Sequence, residues 1–301
     1  MMKQKFSNYM LCAGLALTLN ACVVVPAPIE SHYNRGVQLY DEQKYTDAIA
    51  EYQLALKDDP ENYFAQYNLA VAYQDAGKPE AALEQYRNIL AKGEDANSRI
   101  NIAGILYARG DVDGAFKELE TAADSNPHNP NPLGIWGDYL TRENKLKEAE
   151  EKFKAALQRE PNHAWNWNRL GLLHARNANH DDAYAALLKS VELDPQEPAF
   201  LESLALEYER RDELMEAINL LEAASALQPD RKDMYIRLGD LYKKTQMYQE
   251  ALTRYWTALS INDDEPQVHR SLLEIYQRLA ENEKQQVEQI ERQGTLAQKN
   301  P

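Results

Sequence analysis

Cysteine is almost missing from this chain: Cys12 and Cys22 are the two thiols among 301 residues. Cys12 lies within the apolar N-terminal run and Cys22 at its end, so the rest of the chain has no thiol for a disulfide and its fold must rest on buried apolar surface. Catalytic signatures are missing as well. The sequence has no GxSxG, P-loop, GxGxxG, CxxC or HExxH motif. Positive charge is in short supply, with 33 basic against 48 acidic residues and a net charge of −15. Binding to nucleic acid needs Lys and Arg clustered against phosphate, so no nucleic-acid partner is expected. The same charge keeps an elongated body soluble and stops it adhering to anionic lipid. Nor does any apolar run reach the ~20 residues that a membrane-spanning helix needs.

What is present is periodic. Pro127, Pro161, Pro195 and Pro229 follow one another at a step of 34 residues, and Pro60 precedes the first by 67. A fixed period of this size marks stacked supersecondary units. Within the unit that ends at Pro229, Leu201, Leu204, Ala205 and Tyr208 form the apolar stripe of one helix, and Arg211-Asp212-Glu213 breaks it. Ala217, Leu221 and Ala224 then begin a second helix. The same phrase recurs as Gly36…Ala48…Tyr52, Ala70…Ala82…Tyr86, Ala103…Ala115…Leu119, Gly137…Ala149…Phe153, Gly171…Ala183…Leu187 and Gly239…Ala251…Tyr255, seven copies in all. Small residues let two helix backbones approach closely, and the large ones fill the space between pairs. Proline stops each unit because it cannot continue a helix and forces its predecessor out of the α region.

The spacing resembles the tetratricopeptide repeat (TPR), with its W-x2-L-G-x2-Y…A-x3-F…P pattern, over about residues 29 to 265. Trp167-Asn168-Arg169-Leu170-Gly171 fits its opening, with His174 in place of Tyr. Glu94 and Asp263 stand where prolines are expected, and Phe116 where a smaller residue is usual. The resemblance implies an all-α, right-handed α-solenoid of about seven helix pairs over residues 31–265. A capping helix over 266–293, carrying Leu272, Leu273, Tyr276 and Leu279, covers the last apolar face, and 294–301 reads as a disordered tail.

Residues 1–21 give an address. Lys3 and Lys5 precede an apolar run from about Tyr9 to Leu19, which is the pattern of a secretory signal peptide. Its end, Leu19-Asn20-Ala21-Cys22, resembles the bacterial lipobox, with Asn20 departing from the usual small residue. An uncleaved membrane helix running on through Val23-Val24-Val25 is the alternative, but the run is short for one. The resemblance implies acylation of Cys22, and two or more acyl chains hold stably where one does not. Val23, rather than Asp, after the cysteine implies the outer membrane, with the body in the periplasm. Residues 22–30, with Pro26 and Pro28, read as the lipidated cysteine and a stiff spacer. Loss of Lys3 and Lys5 with the signal takes the net charge from −15 to about −17.

In the resembling fold, the first helices of each pair line a concave groove that holds peptides. Its register implies that Tyr33, Val37, Tyr40, Phe64, Tyr67, Asn68, Val71, Ile100, Asn101 and Tyr107 face inward in the first three units. Aromatic residues suit recognition, and Asn68 and Asn101 can hydrogen-bond a peptide backbone. Packing between neighbouring helices is the competing role for any one of them. Farther along, Trp165, Asn168, Arg169, Leu172, Arg176, Arg210, Arg237, Lys243 and Lys244 form a basic stripe, either a dock for carboxylates or a solvated face paired to local acids. The expected partner is a protein or peptide of the cell envelope, with no small-molecule substrate, cofactor or metal and no catalysis.

The resemblance extends to lipoproteins of type IV and tight-adherence pilus assembly, which carry a secretin or other component to the outer membrane. It extends equally to adaptors that recruit peptidoglycan hydrolases or proteases. A metal-dependent hydrolase built on His174, His180 and Asp182 is a third reading. Against it, six residues is not a metal-ligand spacing on one helix.

Overall fold

A computed structural model describes residues 31–299; the expected signal peptide, Cys22 and the expected spacer lie outside the described residues. Fifteen α-helices make up the described chain. They are α1 His32–Asp41, α2 Tyr45–Asp58, α3 Tyr63–Asp75, α4 Pro79–Lys92, α5 Ala96–Ala108, α6 Val112–Ser125, α7 Asn131–Arg142 and α8 Leu146–Arg159. Then come α9 Ala164–Arg176, α10 His180–Leu193, α11 Pro198–Arg210, α12 Leu214–Leu227, α13 Lys232–Lys244, α14 Tyr248–Ile261 and α15 Pro266–Lys299. The first fourteen fall in sequence as seven pairs, as the periodicity requires. Two compact units divide between Lys78 and Pro79, the first holding α1–α3 and the second α4–α15.

In the first unit, Leu39, Ala48, Ile49, Tyr52, Leu69 and Ala72 form the core. Gly36 lets α1 close on α2, since a Cβ there would lie 2.6 Å from the Tyr52 ring. The second unit repeats this contact. A Cβ on Gly137 would meet Phe153 at 2.5 Å, and one on Gly239 would meet Tyr255 at 2.5 Å. In each case the large residue follows sixteen positions later, so the small-to-large alternation in the sequence is the lock within each pair. Consecutive first helices also touch, α1 with α3, α5 with α7, α7 with α9 and α9 with α11. No comparable contact joins consecutive second helices among the described residues. The first helices therefore occupy the tighter, inner side of each stack.

The loops obey the same period. Gln43, Gly77, Gly110, Asn144, Ala178, Asp212 and Gln246, each between the members of a pair, take φ from 58° to 84°. For residues with a Cβ this left-handed turn costs roughly 1–2 kcal/mol, so Ala178 carries strain that Gly77 does not. Between pairs, Asp59, Asn126, Glu160, Asp194 and Gln228 precede the prolines with φ from −133° to −143° and ψ from 74° to 92°, outside the helical region, as the clash with the proline ring demands. Where Glu94 replaces a proline, Arg99 grips it through Nε and Nη2, both at 2.8 Å. Phe116 packs against Trp136 with ring centroids 5.8 Å apart.

The last helix corrects the sequence reading. α15 runs to Lys299, past the expected end at 293, so 294–299 continue the helix instead of forming a disordered tail. Its first turns bury Val268, Leu272 and Ile275 against the core that Tyr255 and Leu259 line.

Candidate partner-binding face

On the first unit, Tyr33, Val37 and Tyr40 share one side of α1 because steps of four and three residues return to the same face. Asn68 and Val71 come to meet them from α3. Together with Asp41 and Tyr52, Val37, Tyr40, Asn68 and Val71 line an open cavity of about 150 Å³. This is smaller than the roughly 300–1,000 Å³ typical of small-molecule pockets and suits one side chain of a partner. Its polar rim is fixed. Asn68 Nδ2 donates to the Tyr33 hydroxyl at 3.3 Å, and the Tyr40 hydroxyl donates to Asp75 Oδ2. Burial, reinforced by the Asp75 bond, pushes the Tyr40 phenol above its ordinary range, and burial does the same to Tyr52.

Beside the cavity stands an aromatic ledge. Phe64 is 66% exposed, with its ring 5.6 Å from that of Tyr63, which in turn stacks on Tyr67 at 6.0 Å. A large apolar side chain this exposed gains little from folding of its own chain, and burying the rest under a partner would favour binding by about 1–2 kcal/mol.

The second unit treats the equivalent face differently. Ile100 and Tyr107 are half-buried in packing with Tyr139, onto which Tyr107 stacks at 4.0 Å and 6°. Tyr107 also donates to Glu143 Oε1 at 2.8 Å, and Asn101 donates to Tyr86 at 3.0 Å. Asn168 is only 4% exposed; it belongs to the interior of α9, which removes it from the expected surface. Trp165 and Leu172 remain exposed, Trp165 leaning edge-on against Phe200 at 4.8 Å.

The basic stripe proves to be cross-braced. Arg169 Nε pairs with Asp138 Oδ2 at 2.9 Å, Arg210 with Glu207 at 3.1 Å, and Arg237 with Glu209 at 2.5 Å. Lys243 pairs with Glu274 at 3.0 Å and Lys244 with Asp212 at 2.9 Å. Arg176 donates to the Thr141 carbonyl at 2.6 Å. Most of these bonds join one repeat to the next, so the charge serves the stack. Burial raises the Asp138 carboxyl above its usual range, with Arg169 pulling the other way. Pairing to local acids was one of the two sequence readings, but the particular acids were not identified, since most lie about one repeat from their partners, Asp138 and Arg169 being 31 residues apart, and only Glu207 sits within a turn of its partner Arg210. Near-period spacing between opposite charges was the available signal. Likewise Tyr52 reaches the first-unit cavity from a second helix, and Gly36, sixteen residues earlier, was the clue.

The histidines disperse. His174 is buried and lines an open concavity of about 470 Å³ with Trp167, Leu170, Asp182 and Glu150. His180 instead meets the fully buried Glu207 at 2.9 Å, and Asp182 accepts from Asn179 at 2.6 Å. Among the described residues no three His, Cys, Asp or Glu side chains converge on a common point, and no helix is long and apolar enough to cross a membrane.

Paired helices locked by a recurring small residue, with the first helix of each pair inward, define a tetratricopeptide-repeat protein, a helical scaffold suited to protein–protein interaction. The chain belongs to the family described as the Cilia and flagella-associated protein 70 C-terminal domain, whose profile matches residues 35–272. It is 24% identical over 261 residues to DnaJ homolog subfamily C member 3 of Gallus gallus, covering 87% of this chain and 47% of that protein. It is 36% identical over 103 residues to the Peroxisomal targeting signal receptor of Komagataella phaffii, covering 34% of this chain and 18% of that one. The chain thus spans less than half the length of these curated relatives. A tetratricopeptide repeat protein from Parabacteroides merdae superposes with a TM-score of 0.53 at 17% identity, over 82% of this chain and 98% of that structure. This likeness speaks for the fold.

Proposed function

We propose that this chain is a non-catalytic adaptor that captures a protein segment on the α1–α3 face of its first unit. One observation carries the reading: an open, mostly apolar cavity sized for a single side chain lies on the same helices as the exposed Phe64 ledge. The occupant is a peptide segment that places an aliphatic or aromatic anchor in the cavity and packs a second apolar residue on Phe64. Anchors of this kind dominate interface energy when they are fully desolvated. The name of the Komagataella relative, a targeting signal receptor, fits a chain that holds short segments.

The finer proposal places the adaptor at the outer membrane, held by acyl chains on Cys22 with its body in the periplasm, where it assists assembly of an envelope machine such as a pilus secretin. Recruitment of peptidoglycan hydrolases or proteases is the second reading and uses the same face. Both rest on the charged start, apolar core and Leu19-Asn20-Ala21-Cys22 end of the first 22 residues. Metabolic labelling with a fatty acid tests the anchor: the wild-type chain takes up label and pellets with outer membranes, and Cys22→Ser does neither. Label retained by that variant would overturn the anchor. Photo-crosslinking from Phe64 in cells then identifies the occupant. Adducts to secretin components support pilus assembly, adducts to a hydrolase or protease support recruitment, and absence of any adduct removes this face as the binding site.

A further inference from the structure

The fifth repeat is built with less side chain than its neighbours at two corresponding positions. On the second helices, the third residue after the recurring alanine is long in the other six repeats: Glu51, Gln85, Glu118, Lys152, Leu220 and Arg254. Most of these reach across to another helix. Glu51 meets His32 at 2.7 Å, Glu118 meets Arg99 at 2.8 Å and Arg254 meets Glu222 at 2.7 Å. The Lys152 ammonium lies 3.4 Å from the centroid of the Trp136 ring. In the fifth repeat this residue is Ala186. On the first helices, the third residue after the small one is Tyr73, Tyr208 and Tyr242 in the second, sixth and seventh repeats. Each sets its hydroxyl on the preceding second helix, against Gln53 at 2.8 Å, Tyr184 at 3.2 Å and Glu222 at 2.9 Å. The first, third and fourth repeats carry leucine there. In the fifth the residue is His174, 9% exposed, whose ring makes no hydrogen bond among the described residues. This repeat alone combines histidine for tyrosine with alanine for a long side chain.

The consequence is the open cleft of about 470 Å³ that Trp167 and His174 of α9 line together with Glu150 and Lys154 of α8 and Ala185 and Ala186 of α10. We propose that this cleft binds a phenolic ring, which takes the place that tyrosine fills from within the chain in the sixth and seventh repeats. The volume falls within the roughly 300–1,000 Å³ of small-molecule sites and leaves room for the atoms attached to the ring. Trp167 is half-buried, and its Nε1 donates to the Pro161 carbonyl at 2.7 Å, so what it offers the cleft is an apolar ring for stacking. The charges at the rim are already matched. Lys154 pairs with Glu150 at 2.6 Å and Lys189 with Glu192 at 3.0 Å, and Asp182 accepts from Asn179 at 2.6 Å. A charged ligand must displace one of these partners, whereas a neutral ring need not. His174 is the polar group with a bond to make, and a buried polar group left unbonded is costly. Its ring nitrogens can donate to a hydroxyl or accept from one. The phenol comes either from a tyrosine of a protein partner or from a free phenolic compound. The cleft lies wholly in the second unit and is independent of the α1–α3 face.

Titration of p-cresol into the nitrogen-labelled full chain, followed by the indole NMR signals, tests this. In the wild type the Trp167 signal shifts saturably while that of Trp256, three repeats' worth of helix away in sequence, does not. Toluene, which lacks the hydroxyl, binds roughly tenfold more weakly, the worth of one hydrogen bond. His174→Tyr restores the repeat's own phenol, and Ala186→Leu gives the fifth repeat the residue of the sixth. Both variants keep the melting temperature of the wild type and lose the p-cresol response. His174→Phe binds p-cresol and toluene alike. N-acetyltyrosinamide separates the sources: binding at least as tight as that of p-cresol assigns the cleft to a partner's tyrosine, and exclusion of it while p-cresol binds assigns it to a free phenol. A Trp167 signal that stays still up to the solubility of p-cresol would overturn the proposal. So would a folded His174→Tyr or Ala186→Leu variant that responds like the wild type, or equal binding of toluene and p-cresol by the wild type.

Discussion

The inner helices of the first unit leave an open cavity and an aromatic ledge, whereas those of the second spend the same positions on stacking and ion pairs. Tyr40 and Tyr107 show the contrast. They occupy corresponding places in their repeats, and both donate a phenolic hydrogen to a carboxylate of a following helix or its end, Asp75 and Glu143. Yet Tyr40 borders an open cavity, while Tyr107 is covered by the Tyr139 ring. Repeating one backbone motif therefore does not repeat its surface. What sits on the neighbouring repeat decides whether a position is available to a partner.

The largest effect that can break this comparison lies in the locks. Phe153→Ala empties a fully buried site above Gly137 and is expected to cost about 3–5 kcal/mol in denaturant unfolding. Tyr52→Ala costs a similar amount and, because Tyr52 also walls the cavity, abolishes capture as well. A Phe153 variant that unfolds like the wild type would contradict the packing described.

Next come paired substitutions on the two faces. Phe64→Ala combined with Val71→Asp should weaken capture of the crosslinked partner at least roughly tenfold while leaving thermal stability nearly unchanged. Arg169→Ala should do the reverse, preserving capture and destabilising by about 1–3 kcal/mol, because Asp138 loses its counter-ion in a part-buried site. Equal loss of binding from both changes would erase the distinction between the units.

Alkaline pH affects both units. Tyr40 and Tyr52 in the first unit, and Tyr139, Tyr242 and Tyr255 in the second, have phenols raised chiefly by burial. Tyr208 is raised to about 12, first by its bond with Tyr184 and then by burial. A raised folded value means that the native state holds these protons more tightly than the unfolded chain. Their contribution is then complete below about pH 10 and lost as pH climbs through the raised values. The melting temperature should fall steeply from about pH 10 to 12, with phenolate absorbance from these residues appearing together with unfolding. Full ionisation near pH 10 in a still-folded protein would refute this.

The smallest effect concerns the turns. Ala178→Gly should raise stability by about 0.5–1 kcal/mol and Gly77→Ala lower it similarly, since both sites require a left-handed residue. Indifference at both would show that these turns relax.

Much of this was legible from the chain. The step of 34 between prolines and the recurring small residues gave helix pairs and their order, because these depend on local geometry that every copy must meet; the large residues were read as filling the space between pairs, whereas Tyr52, Phe153 and Tyr255 also close each pair on its own small residue. The left-handed turn at Gly77, Gly110 and Asn144 was also visible in principle, but Gln43, Ala178 and Gln246 at the same place disguised it. The site was read less well. Asn168 was assigned to the surface and is buried, and Arg169 was left between a dock for carboxylates and a pair with a local acid, of which the pair with Asp138 is what forms. Phe64, by contrast, was read as a recognition residue and stands exposed. The repeat register says which way a side chain begins to point, not what it meets across the next helix.

Periodicity by itself thus determined the all-α repeat architecture, since a helix-pair unit cannot bury its apolar face except against its neighbours. Tertiary structure alone decided which inner positions stay open, because that depends on contacts between residues about one repeat apart, where a single acid or ring closes a surface that sequence spacing leaves undecided.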